Sequence, residues 1–476
     1  MSSNNLEGYL AVPVWPNFGG ERRLFRVFRG EEMVFEFLVP FSGDKAEEPA
    51  WYAYLPLQRF YEVRREEIAK AGFGKMQTEE SSKAAPDADW SRFRIETEDA
   101  RVREKCFFTV EKSEDAPVGG ERPGVHFSPQ YGWMNDPNGL IYDGKVWHLY
   151  CQHNPMDAAW CNMTWGHAVS EDLVHFTWKG DVLFPDSRGV MYSGSAILNG
   201  QAVGGGVWKI FPELPEAALL FFYTSAGHIA QGTSSENGEF TQRVAFSVDG
   251  GETLVKLADW ELPNVACENR DPKLIVHQES RGLILVLYLD ADRFGIFRAE
   301  MEGQDGPQFR LLHELRIPEK IECPDFFPLT NPANGRTLWA FVSASGCYYL
   351  GEFDGYVFNP LTNVKNLYAN QMPFAAQSWS NADGRVFSIA WLRSFWDWKT
   401  PWTGTMSLVR EFTLGEKEDG PYIRQRFVLQ DGSEQIVDAF GEGRIVEWLS
   451  EDGELLNVES TLPAFPYPVY REGETH

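Results

Sequence analysis

The sequence predicts an all-β chain, and three observations carry that prediction. From about residue 124 to Leu414 the pattern is strand and turn, with little of the 3.6-residue periodicity of amphipathic helices. Aromatic residues make up 14% of the chain, and 43 Gly with 28 Pro supply turns, a mixture that suits strands. Two segments also echo each other: Gly166 to Asp172 with Phe176-Thr177-Trp178, and Val244 to Gly250 with Leu254-Val255-Lys256. Each reads as a strand, an Asp-bearing turn and a second strand, the kind of loose repeat that indicates propeller blades converging on an axis. A plain β-sandwich gives similar strand signals, so both architectures stand at this level.

With 476 residues the chain is long enough for two or three domains. Residues 1–115 form a β-sandwich-like accessory region, in which Arg23 to Arg29 and Glu32 to Leu38 alternate around Gly30-Glu31 and Trp51 to Leu57 follows. Arg64 to Ala71 reads as a short helix, Thr78 to Asp89 as a loop, and Asp115 to Gly124 as a linker. Residues 121–414 are the propeller-like region. Residues 415–476 are a short strand segment, too small for a large core of its own, that docks on another domain.

Net charge of −26 argues against nucleic acid or an anionic membrane as partner and is compatible with a neutral ligand. The N-terminus shows no basic-then-apolar leader and no apolar run has the length of a membrane helix, which favours a cytoplasmic protein, or a secreted one if a leader has been removed. The six cysteines (106, 151, 161, 267, 323, 347) lack metal-ligand or disulfide-framework spacing and read as free thiols. No metal or cofactor is called for.

The chemistry centres on Trp133-Met134-Asn135-Asp136-Pro137-Asn138-Gly139, followed by two apolar runs around Asp143-Gly144. Asp-Gly between such runs predicts a hairpin with a two-residue type I′ turn. In that register Tyr142 faces Lys145, Asp136 faces Cys151 and Asn135 faces Gln152. Pro137 restrains the backbone on both sides and so aims the carboxylate. Two further acids share this setting, Asp271 in Arg270-Asp271-Pro272 and Glu322 in Glu322-Cys323-Pro324, each beside a proline where an apolar strand begins. Equivalent strand starts arranged around one axis would gather the three side chains at one mouth. That arrangement supplies what glycoside cleavage needs, one carboxylate to attack the anomeric carbon and one acid to protonate the leaving oxygen.

These motifs resemble the invertase, inulinase and levanase family of glycoside hydrolases, family 32. The resemblance rests on the segment around Asp136 and on Cys151-Gln152-His153-Asn154-Pro155, Trp165 to Ser170, Tyr192-Ser193-Gly194-Ser195-Ala196, Arg270-Asp271-Pro272, Glu322-Cys323-Pro324-Asp325 and Tyr368-Ala369-Asn370-Gln371. It runs from about His126 to Leu414 and implies a five-bladed propeller and a retaining exo-β-fructosidase that releases terminal β-D-fructofuranosyl units of sucrose, fructooligosaccharides or fructans.

The resemblance makes Asp136 the nucleophile, Glu322 the acid and then base, and Asp271 with Arg270 the groups that bind fructose hydroxyls and stabilise the transition state. It implies Asn135, Gln152, Ser193 and Trp391 as pocket residues, with Trp160 at the rim stacking on the leaving sugar. Those roles need Asp136 ionised and Glu322 protonated, so their environments should push the two apart, with a carboxyl separation of about 5 to 5.5 Å. The chain departs from the family pattern at Val364 to Leu367, which lacks the usual acidic residue, at Tyr192, at Val409, and in the family's long C-terminal sandwich, which reads as missing or reduced to the tail. Fructosyl transfer through the same intermediate and silent fructan binding are the alternative functions.

Overall fold

The computed structural model describes residues 6–41, 48–72, 89–113, 122–203, 205–300, 306–317, 322–393, 400–429, 435–440 and 443–461. Five largely antiparallel sheets follow one another along the central region, each built on four strands paired in chain order. Blade 1 is Gly132–Tyr142, Trp147–Asn154, Thr164–Ser170 and Thr177–Leu183; blade 2 is Val190–Leu198, Leu219–Ala226, Phe240–Ser247 and Val255–Leu262. Blade 3 is Arg270–His277, Gly282–Asp290, Arg293–Glu300 and Arg310–Arg316; blade 4 is Asp325–Thr330, Thr337–Val342, Cys347–Phe353 and Phe358–Pro360. Blade 5 is Pro373–Ser378, Val386–Leu392, Arg410–Lys417 and Gly420–Phe427. The two echoing segments are the third and fourth strands of blades 1 and 2, so they are equivalent parts of consecutive blades.

First strands touch in sequence, and that of blade 5 returns to that of blade 1, which closes the ring. Closure is reinforced where Trp402–Thr403 pairs in parallel with Gly132-Trp133. Apolar cores lie between blades: Phe221, Ala245, Tyr150 and Trp165 join blades 1 and 2, and Phe222, Leu285 and Leu274 join blades 2 and 3. Ile284, Val286, Phe326 and Phe341 join blades 3 and 4, Leu350, Val386 and Ile423 join blades 4 and 5, and Trp133, Leu149, Phe387 and Trp391 join blades 5 and 1. The driving force for the ring is this burial of aromatic and branched side chains on both faces of each sheet.

The N-terminal region forms two three-stranded sheets, Leu6–Val14 with Trp51–Gln58 and Phe107–Thr109, and Arg22–Arg29 with Glu32–Pro40 and Phe93–Thr97. They share one core of Leu10, Val12, Phe25, Phe35, Phe37 and Leu55, which makes a small sandwich. The short helix is Arg65–Ala71, and Glu62-Val63 adds a parallel edge strand to blade 2. A last sheet of Gln435–Phe440, Gly443–Leu449 and Leu456–Ser460 packs Ile445, Leu456 and Val458 against blades 4 and 5.

The structure corrects two details. The strand Gly420–Phe427, which the sequence groups with the segment after residue 414, pairs with Arg410–Lys417 as the outer strand of blade 5. The turn at Asp143-Gly144 spans four residues, with Tyr142 opposite Trp147, because the Asp143 carboxylate accepts from the Lys145 and Val146 amides at 2.7 and 2.8 Å and so stabilises a wider turn. Of the expected features, most of the Thr78 to Asp89 loop and of the Asp115 to Gly124 linker lies outside the described residues. Among the described residues no helix is long and apolar enough to cross a membrane.

Candidate active site

The sequence-predicted residues converge on one mouth of the ring, and the topology explains why. In an antiparallel meander the start of strand one lies beside the end of strand two. Asp136, Ser193 and Asp271 stand near the starts of the first strands of blades 1, 2 and 3, and Glu322 just precedes that of blade 4. Gln152, Thr224, Tyr288 and Trp391 stand near the ends of second strands.

The first strands are irregular at this level. The ladder shifts between Met134 and Pro137, between Met191 and Gly194, between Arg270 and Lys273 and between Phe374 and Gln377. Bulges re-aim side chains that a regular strand would send to alternate faces. The blade 1 bulge overturns the expected register: Pro137 pairs with Cys151 and Met134 with His153, while Asn135 and Asp136 fall in the irregularity. The cause is physical, since Pro137 has no N–H to give the ladder. Gly194 fits its bulge because a Cβ there would lie 2.0 Å from the Phe222 carbonyl oxygen. Asp271, Glu322 and Cys323 hold φ of 64°, 48° and 43°, costly for residues other than glycine and characteristic of functional sites.

The three acids are tied together by short contacts. Ser193 Oγ donates to Asp136 Oδ2 at 3.1 Å, and the Cys323 amide donates to Asp271 Oδ2 at 2.9 Å. The Cys323 thiol sits between two carboxylates, 3.6 Å from Asp136 Oδ2 and 3.5 Å from Asp271 Oδ2. Arg270 donates through Nη2 to Glu322 Oε2 at 3.0 Å, lies 3.8 Å from Asp271, and rests over the Tyr288 ring at 4.5 Å. Thr224 Oγ1 accepts from the Asp271 amide at 3.0 Å and fixes that strand start.

Gln152 reaches the site through a relay. With the Asn138 amide nitrogen toward Ser193 Oγ at 3.1 Å, its oxygen accepts from Gln152 Nε2 at 2.9 Å, so Gln152, Asn138, Ser193 and Asp136 form one chain of hydrogen bonds. Asn135 Oδ1 accepts from Trp133 Nε1 at 2.9 Å, and Trp391 lies buried edge-on to Trp133 at 6.1 Å. Trp160 is half-buried against the same apolar cluster. Of the further tryptophans, Trp402 is buried in the ring closure, while Trp396 and Trp398 lie outside the described residues.

Electrostatics differ from the expectation of an easily ionised Asp136. Burial, and then the charges of Glu322 and Asp271, push Asp136 up to about 7. Burial likewise raises Asp271 to about 6, although Arg270 opposes it. Burial and the flanking carboxylates hold the Cys323 thiol well above its ordinary value and hence neutral. Three carboxylates face one guanidinium in a poorly solvated mouth, so the free site favours holding a proton. Sequence reasoning missed Asn138, although it lies inside the key motif, and missed Cys323, Thr224 and Tyr288. Asn138 and Cys323 carried a signal by their places in motifs, whereas Thr224 and Tyr288 carried none.

A ring of five blades with an acid cluster at one mouth defines a five-bladed β-propeller with a candidate acid site. The family described as Glycosyl hydrolases family 32 N-terminal domain matches residues 126–426, and the chain belongs to that family. It is 30% identical over 336 residues to an invertase from Wickerhamomyces anomalus, covering 63% of this chain and 58% of that protein. It is 31% identical over 329 residues to a levanase from Bacillus subtilis, covering 64% and 46%. The chain thus spans about half the length of such relatives. Among solved structures, a fructofuranosidase from Schwanniomyces occidentalis complexed with fructosylnystose is 26% identical with a TM-score of 0.56, over 69% of this chain and 67% of that one. An exo-inulinase from Aspergillus awamori shares the fold at 20% identity and a TM-score of 0.59, covering 73% and 94%.

Proposed function

We propose that this chain is a retaining exo-β-fructosidase acting on terminal β-D-fructofuranosyl residues of sucrose, fructooligosaccharides or fructans. One observation carries the reading: Asp136, Asp271 and Glu322, from three blades, are linked through Cys323 and Arg270 at one mouth. The names of the relatives, invertase, levanase and exo-inulinase, support the substrate class.

In the proposed cycle Asp136 attacks C2 of the fructosyl unit while the bond from C2 to the leaving oxygen breaks. Glu322 gives its proton to that oxygen. Water then attacks C2 of the fructosyl-enzyme, Glu322 takes the water's proton, and the bond to Asp136 breaks. Asp271 and Arg270 hold the sugar, and the Asp271 carboxylate offsets the positive charge that builds at the ring. Ser193 steadies the Asp136 oxygen, and Gln152 Oε1, buried without a partner of its own, faces a need that a sugar hydroxyl would meet. Hydrogen bonds donated by sugar hydroxyls to the Asp136 carboxylate favour its ionised form on binding, and the positive charge that builds at the ring adds to that preference in the transition state.

The test is product analysis on sucrose, kestose, inulin and levan. Release of free fructose from chain ends is the expected result, and binding of these sugars without cleavage would overturn the reading.

A further inference from the structure

The N-terminal sandwich grips the loop that bears Trp160. That loop, residues 155–163, joins the second and third strands of blade 1 and so lies on the same face as the three acids. Four of its groups are bonded to the sandwich. The Pro155 carbonyl accepts from the Trp51 indole at 2.9 Å. The Asp157 carboxylate, fully buried, accepts from the Phe18 and Gly19 amides at 3.2 and 3.1 Å. The Trp160 carbonyl accepts from Arg22 Nη2 at 3.4 Å, and Arg22 also lies 3.9 Å from Asp157. The Asn162 amide brackets the Leu38 backbone, accepting from its N–H at 2.7 Å and donating to its carbonyl at 3.0 Å.

The neighbouring active-face loop, between the second and third strands of blade 2, is held as well, because Glu36 accepts from the Ser234 amide at 2.8 Å and from its hydroxyl at 3.0 Å. The turn that Asp157 clamps is strained, with Phe18 at φ 54°, and leads into exposed Gly19 and Gly20. A buried carboxylate spent on two backbone amides of another region, at a turn that costs energy to hold, is a positioning device.

We infer that the N-terminal sandwich is a working part of the site, setting the wall on which the leaving sugar and the following units of an oligofructoside rest, with Asp157 and Arg22 as positioning residues for Trp160 and the Asn17 to Gly20 turn. The inference rests on the proposed fructosidase reading. A sugar chain suits this wall: the Trp160 ring offers an apolar face to sugar C–H groups, and the exposed glycine carbonyls offer acceptors to hydroxyls. Since Asp157 and Arg22 reach neither the acids nor the terminal fructosyl ring, their effect should depend on the size of the leaving group.

The test compares the full chain with Asp157→Ala, on methyl β-D-fructofuranoside, sucrose, 1-kestose and nystose. A methyl leaving group does not reach the wall, so kcat/KM for it should stay within about twofold. For kestose and nystose KM should rise about tenfold with kcat little changed, sucrose falling between. Arg22→Gln, at a half-buried position, should give the same ordering and decides the matter if Asp157→Ala does not fold; Asp157→Asn, which keeps one acceptor, should restore part of the loss. An equal loss on every substrate, or none on any, overturns the inference while leaving the fructosidase reading intact. No turnover of any substrate by the unaltered protein overturns both.

Discussion

The acid cluster should weaken the fold that carries it, and Asp136→Asn exposes that cost. Raising a carboxyl from 3.8 to about 7 means the folded protein binds that proton more tightly than the unfolded chain does. The contribution of this group to stability is therefore complete below about pH 4 and is lost as pH rises through about 7. Once both states are ionised, the interval between 3.8 and about 7 corresponds to about 4 kcal/mol. Glu322 also disfavours the charged form of Asp271, so the acids are coupled and about 2 to 4 kcal/mol is the expected gain. Asparagine keeps the shape and can still accept from Ser193, and it carries no charge to bury. Calorimetry across pH should show Asp136→Asn melting several degrees above the parent near pH 8, the gap closing toward pH 4. A variant no more stable than its parent near pH 8 would refute the reasoning. So would a gap of equal size at pH 4, since that would locate the effect in packing and not in charge.

Two further outcomes follow from other buried groups. His126 lies between Asp438 at 2.9 Å and Glu447 at 3.1 Å, and although burial opposes its charge the two carboxylates raise it to about 9. Its contribution to holding the C-terminal sheet is complete below about pH 6.5 and lost as pH rises through about 9. His126→Gln should therefore cost about 2 to 3 kcal/mol in urea unfolding near pH 6 and little near pH 10. Alkylation with iodoacetamide in the native state, read by peptide mass, should label exposed Cys267 and spare Cys323, whose neutral thiol is a poor nucleophile.

Much of the site was legible because its residues sit in local motifs. Asp136, Asp271 and Glu322 each stand where a proline meets the start of an apolar strand, and strand starts in a propeller converge. The register was not legible, because Pro137 opens a bulge and Asp143 captures its own turn, and both outweigh the Asp-Gly signal. The Asn138 relay needed the bulge to form and could not be read beforehand. The rise of Asp136 depends on burial and on acids more than a hundred residues away, which no local pattern reports. Gly420–Phe427 alternates like any edge strand, so only its pairing with Arg410–Lys417 shows that it completes blade 5. The hold of the sandwich on residues 155–162 is likewise tertiary, since Asp157 and Asn162 look in sequence like ordinary loop residues.

In the proposed cycle Asp136 forms a covalent bond to C2 of fructose. Glu322→Gln, incubated with p-nitrophenyl β-D-fructofuranoside, whose leaving group needs no acid, and quenched rapidly, should accumulate that intermediate because the base for water is gone. Peptide mass spectrometry should find the mass of one fructosyl residue added to the peptide containing Asp136. Release of p-nitrophenol with no adduct, or an adduct on a peptide lacking Asp136, would contradict the account.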